Sequence, residues 1–250
     1  MTHPSLNHTD HRPWPMPTTE WRWRQTWCDL LFMHYHFDPE QIRPLIPPGL
    51  TLDTFSGHAW VGIVPFRMED VMWRGLPGMP GVSNFPELNL RTYVTFGDKP
   101  GVWFFSLDAS QAMAVWAARK FFHLPYRHAF MAVTRSDDAD IGYFSRRKDD
   151  SRQIGFRAGY GPCFDPLEAP PGGLTHWLTE RYCLYAQSKR GQVYRAEVHH
   201  ARWPLKKAWV EVEENTVLRT IDLATPTDQQ PHLAFARRLE VVVCPPHPVH

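Results

Sequence analysis

Side chains suited to acid–base and anion-binding chemistry recur along one short run, Glu87-Leu88-Asn89-Leu90-Arg91-Thr92-Tyr93-Val94-Thr95-Phe96. Successive side chains of an extended strand point to opposite faces. Glu87, Asn89, Arg91, Tyr93 and Thr95 therefore share one face, and Leu88, Leu90, Thr92, Val94 and Phe96 the other. The second face belongs in a core. The first either meets bulk water or lines a wet cavity inside a barrel. In a cavity Glu87 would act as acid or base and Arg91 would clamp an anion. At the surface the same two residues make an ordinary ion pair.

Other reactive types are scattered. His34 and His36 flank Tyr35 and face one way on a strand, and with His199 or His200 they would make a three-ligand metal set; ordinary polar strand positions are the competing reading. Adjacent His199 and His200 face opposite ways, so only one of them reaches any given cavity. Arg181, Tyr182 and Tyr194 are candidates to complete a pocket, or simply pack at strand edges. The stretch from His123 to His128, HLPYRH, ends a helix-like run and carries Tyr126 and Arg127. No H-E-x-x-H, G-x-S-x-G, G-x-G-x-x-G or Walker pattern occurs, which argues against a zinc protease, a common serine hydrolase, a Rossmann dehydrogenase and a P-loop NTPase. No cofactor is expected.

The elements that must position these residues are legible in outline. The 250 residues are 43% hydrophobic and 14% aromatic, with 11 Trp, enough apolar material for a sizeable core. Net charge is +1, so no broad field draws nucleic acid or an anionic membrane. The basic run Arg146-Arg147-Lys148 is answered by Asp149 and Asp150 and reads as a solvated turn. Four separated cysteines, Cys28, Cys163, Cys183 and Cys244, form no C-x-x-C pair. The N-terminal stretch lacks the apolar core of a secretory signal, no stretch reaches the ~18 apolar residues of a membrane span, and a cytoplasmic setting is the expectation.

Residues 1–20, polar and proline-rich, are expected to form a flexible or draped arm, and 245–250 a tail of the same kind. Between them, 21–244 read as one domain. TWCDLLFMHYHF predicts a strand; Asp38 and Pro39 then cap and start a short helix that Pro44 and Pro47 end. HAWVGIVPFRM, LNLRTYVTF and VWFFSL predict strands, the last two joined as a hairpin through GDKPG. Asp108 resembles the start of a capping box for a helix over QAMAVWAARKFF, closed by Pro125. HAFMAVT, DIGYFSR, QIGFRAGY, YCLYAQ, QVYRAEVHH, AWVEVEE and RRLEVVV predict further strands, with a short helix in LTHWLTERY. Many strands at roughly ten-residue spacing and few helices predict a mainly β fold, a single antiparallel barrel or cone with a few packed helices.

The order HYHFDPEQIRPLIPPGLTLD, AWVGIVPFRM, FPELNLRTYVTFGDKPGVWFFSLDASQAMAVWAARKFFHLPY and LTERYCLYAQ…GQVYRAEVHHARWPL resembles the YqjF-like family, a domain of unknown function. That family is in turn similar in fold to the acetoacetate decarboxylase superfamily. The resemblance implies a β-barrel or cone with a small-molecule pocket. It places Glu87 on the pocket glutamate and His36 near the position of a pocket arginine. Tyr126 and Arg127 fall where the decarboxylase carries its catalytic lysine and the neighbouring lysine. Acetoacetate decarboxylase is the standing example of a lysine activated by a neighbouring cation, its imine serving as the electron sink. A phenol cannot form an imine and a guanidinium stays protonated, so Schiff-base decarboxylation is not expected here. Lys120, Lys206 and Lys207 are poorly placed to take over.

Two functions follow. The first is a barrel that binds a small carboxylated or oxo-containing metabolite, an organic acid, with Glu87 and Tyr126 at its reactive end and Arg91, Arg127, His36, Arg181 and Tyr182 as ligand-binding residues. The second is a lyase, isomerase or hydrolase using Glu87 as acid or base without an imine. A purely structural or partner-binding barrel is a third reading, and oligomerisation is left open.

Overall fold

β-Branched and aromatic runs fold into strands wherever the sequence alternates. The computed structural model describes residues 3–75, 83–112, 122–136, 140–148 and 150–249. Within them thirteen strands form one sheet. β1 is Trp23–Phe37, β2 Thr51–Leu52, β3 Ala59–Trp73, β4 Phe85–Phe96, β5 Lys99–Ala109, β6 Tyr126–Arg135 and β7 Ile141–Arg147. β8 is Gly155–Pro166, β9 Cys183–Gln187, β10 Val193–His200, β11 Leu205–Asn215, β12 His232–Val243 and β13 His247–Pro248. Helix α1, Pro39–Ile42, starts as its sequence dictates: Asp38 accepts from the Glu40 amide, and Pro39 occupies the first turn. Helix α2 is Leu174–Thr179.

The sheet closes on itself twice. β12, β1, β3, β4 and β5 lie side by side as a common wall. One arc joins its two edges through β6, β7, β8 and β11, completing a ring of nine strands. Another joins them through β9 and β10, completing a ring of seven. The pairing is antiparallel except where β5 meets β6 and β9, both in parallel. The architecture is the mainly β, cone-like ring of strands with few helices that the sequence predicts, here closed twice.

The common wall feeds both interiors by strict alternation. Leu31, Met33 and Tyr35 of β1, with Leu88 and Leu90 of β4, pack on Tyr143, Phe156 and Tyr160 in the larger ring. Leu30 and Phe32 of β1, with Val64 and Phe66 of β3, pack on Ala196, Val198 and Trp203 in the smaller one. Asp29 sits at a positive φ of 52° at the edge of a register shift between β1 and β3, where Arg67 and Arg237 hold its buried carboxylate.

Two expectations change, those for Asp108 and for the basic run. Asp108 caps no helix: it lies in β5, and both of its oxygens accept from Arg147 Nε at 2.8 and 2.9 Å. Arg147 is thereby drawn inward, so the basic run is not a wholly solvated turn. The N-terminal arm is draped along β10: Arg12 pairs with Glu197 at 3.0 Å, Trp14 Nε1 donates to the same carboxylate, and the Ser5 carbonyl meets His199 Nε2 at 2.8 Å. The tail adds β13 to the edge of β10. The helix expected over 111–122 falls mostly on 113–121, outside the described residues.

Candidate functional site

The polar face of β4 turns inward. Glu87, Asn89, Arg91 and Tyr93 are 1%, 6%, 8% and 0% exposed, so the surface ion-pair reading fails. β3 and β5 flank β4 and hold that face toward the seven-strand ring. There it meets Phe32 and His34 from β1 and Phe66 from β3. Tyr126 opens β6 beside Leu107 of β5 and faces the same interior.

At one end of this face Tyr126 Oη donates to Glu87 Oε2 at 2.8 Å. Burial pushes the Glu87 carboxyl up to about 8, and nearby Asp108 adds to the rise. Hydrogen bonds from Tyr126 and Asn89 only partly oppose it. Arg91 makes its contacts elsewhere. Burial and the adjacent Glu87 push the Tyr126 phenol well above its ordinary value, so it stays a donor. The pair is a carboxyl poised near neutrality and a fixed hydroxyl, the equipment of proton transfer.

At the other end, roughly 13 Å along the strand, Arg91 stacks its guanidinium 5.2 Å from the Phe32 ring. One of its terminal nitrogens donates to Tyr93 Oη and to the Leu178 carbonyl of α2, both at 3.3 Å. Both acceptors are neutral, and among the described residues no carboxylate pairs with Arg91. Tyr93 Oη is also 2.7 Å from His34 Nε2. Three buried polar atoms of this cluster lack a hydrogen-bond partner: His34 Nδ1, Asn89 Oδ1 and Arg91 Nε. Native interiors leave few such atoms unsatisfied.

The other candidates are placed as follows. Arg127 follows Tyr126 on a strand and so projects from the opposite face. It is exposed and lines a separate cleft of about 520 Å³ with Arg147, Lys148 and Arg152. His36 lies on the rim of another cleft, about 500 Å³, with His58 and Gln229. The structure therefore brings neither to the Glu87 cluster. Arg181 is buried behind Tyr93, 4.8 Å from its ring, and is held by Asp53 at 2.6 Å. Tyr182 gives its hydroxyl to Glu180 and stacks on His200, forming a wall beneath the N-terminal strap. Tyr194 lies on edge-side β10, its ring near His123.

Among the described residues no three His, Cys, Asp or Glu side chains are grouped to hold a metal. The described lysines also sit elsewhere: Lys99 reaches Glu197, Lys148 reaches His128, Lys207 reaches Asp165, and Lys189 and Lys206 are exposed. Lys120 lies outside the described residues. Asn89 and Tyr93 are the site residues that sequence reasoning left unassigned, and His34 was read there only as a metal ligand or an ordinary strand position. Their signal was available in the shared parity of β4, and in Gly62, where a Cβ would meet His34 Nε2 at 2.5 Å.

The family model DUF2071, described as an uncharacterised conserved protein, matches residues 24–240. The chain belongs to that family. Uncharacterised protein YqjF of Bacillus subtilis (strain 168) is 44% identical over 230 residues, covering 92% of this DUF2071 chain and 93% of its own. Among solved structures, an acetoacetate decarboxylase-like enzyme from Sphingomonas wittichii RW1 superposes with a TM-score of 0.64 at 12% identity, covering 97% of this chain and 100% of its own. Acetoacetate decarboxylase from Legionella pneumophila gives 0.63 at 13% identity, covering 100% and 96%. The enduracididine biosynthesis enzyme MppR, complexed with pyruvate, gives 0.61 at 12%, covering 96% and 93%. At these identities the likeness is one of fold. No helix among the described residues of this DUF2071 protein is long and apolar enough to cross a membrane.

Proposed function

We propose that this protein binds a small organic acid inside the seven-strand ring, with the ligand's carboxylate on Arg91 and its other end toward Glu87 and Tyr126. The observation that carries this reading is Arg91 itself, a guanidinium 8% exposed, hydrogen-bonded only to neutral oxygens, with Nε unpartnered. A buried cation without a counter-charge costs several kcal/mol, which a bound carboxylate offsets. Phe32, Phe66 and Trp203 supply apolar walls of the kind that enclose small ligands. The pyruvate complex of MppR shows that this fold accommodates a small oxo acid in that protein. Isothermal titration against small carboxylic acids tests the reading. Saturable binding is expected, with loss of at least tenfold in affinity for Arg91→Met. Silence across the acids, or full binding by the variant, refutes it.

A second reading rests on Glu87. A carboxyl near 8 with a hydrogen-bonded phenol is suited to moving a proton on the bound acid, without an imine. If turnover is found, Glu87→Gln should abolish it, its pH profile should break near 8, and borohydride with an oxo acid should leave no covalent adduct.

A further inference from the structure

The three partnerless atoms at the Arg91 end define more than a carboxylate site, because each has a fixed sense. Tyr93 has one hydroxyl proton, and it goes to the Leu178 carbonyl at 2.8 Å. The Tyr93 oxygen therefore accepts from its other neighbours, Arg91 at 3.3 Å and His34 Nε2 at 2.7 Å. That puts the His34 proton on Nε2. Burial, with Arg91 and His232 nearby, holds the imidazole well below its ordinary value, so it carries only that one proton. Nδ1 is left as a bare acceptor. The ring has no freedom to turn it elsewhere: it lies against the β3 backbone at Gly62, where even a methyl would collide, and stacks on Phe32 at 21°. Asn89 Oδ1, an amide oxygen without a hydrogen-bond partner, is a second acceptor. Arg91 Nε is a donor.

The buried cluster thus holds a cationic donor and two acceptors that lack partners. An oxo acid brings only acceptors, satisfying Arg91 and leaving His34 Nδ1 and Asn89 Oδ1 unpaired. A hydroxy acid brings a carboxylate and a hydroxyl proton together. An amino acid would also bring donors, but its ammonium would lie beside the Arg91 charge and face neutral acceptors.

Resting on the carboxylate-binding reading above, we infer that the site selects a hydroxy acid over the oxo acid of the same skeleton, His34 Nδ1 taking the hydroxyl proton while Arg91 holds the carboxylate. Unpaired buried acceptors make the discrimination on the order of tenfold or more. The experiment is isothermal titration with paired hydroxy and oxo acids of three to six carbons, on wild type, His34→Phe and Arg91→Met. The expected result is tighter binding of the hydroxy member by at least about tenfold, a ratio near one in His34→Phe, and loss of both in Arg91→Met. Equal binding, a preference for the oxo acid, or an undiminished preference in His34→Phe overturns the inference and leaves carboxylate binding standing. No binding of any pair overturns both. ¹⁵N spectra of histidine-labelled wild type give a check independent of any variant's folding: an unprotonated His34 Nδ1 is expected, and a protonated one overturns the inference.

Discussion

Tyr126 changes what its neighbouring carboxyl is. A phenol against Glu87 adds one donor and no charge, so desolvation still dominates and the acid stays protonated to about 8. The consequence for stability has a definite sign. The folded state holds the Glu87 proton up to about 8, whereas the unfolded chain releases it near 4.5, so folding stability falls as pH rises between those values. Buried Asp108, raised to about 6, adds to the fall below that pH, and buried histidines with lowered values oppose it below 6.5. The interval from 6.5 to 8 therefore reports chiefly Glu87. Urea denaturation across it should show declining stability in wild type and a flat profile in Glu87→Gln. Tyr126→Phe should cost about 1–2 kcal/mol at pH 6.5 and move the decline to higher pH. At this scale parity told much of the story. The inward tetrad of β4 could be read from alternation alone, and only its side, water or interior, was open. Arg127 and His36 were nominated by positions in a distant fold, where alternation would already have parted Arg127 from Tyr126.

Elements were legible where the cause was local. The Asp38–Pro39 start of α1, the hairpin through Gly97 and Asp98, and the alternating strands all arise from neighbours in sequence. Asp108 misled because an acid before a helical run has two uses, and a buried arginine thirty-nine residues away claimed it. What could not be read was which strand lies beside which, since β5 gathers β4, β6 and β9 from across the chain. Gly62 shows how closely those neighbours are fitted. A Cβ there would come within 2.5 Å of His34 Nε2 and 2.8 Å of its Cδ2, against the fixed backbone of β3. Gly62→Ala should therefore cost about 1–3 kcal/mol and displace the imidazole from Tyr93. Adding His34→Ala to it should restore part of that loss, a coupling that a double-mutant cycle in chemical denaturation measures directly.

For the molecule as a whole, the arm is a strap that fastens the smaller ring. Arg12 and Glu197 are both almost wholly buried, and Glu197 also meets Lys99 at 3.4 Å and Arg195 at 3.3 Å. Arg12→Ala leaves that carboxylate two other cations, so the expected cost is about 1–3 kcal/mol rather than the full penalty of a lone buried charge. Equilibrium unfolding in urea reads it.

β5 and β12 are forks, each gripped by three neighbours and each giving part of one edge to one arc and part to the other. A slip of one residue in either would flip side chains in two chambers at once, so neither interior can be re-tuned by sliding a strand. Change inside the smaller ring is confined to exchanging side chains on a frozen lattice, while the larger one acts as its keel.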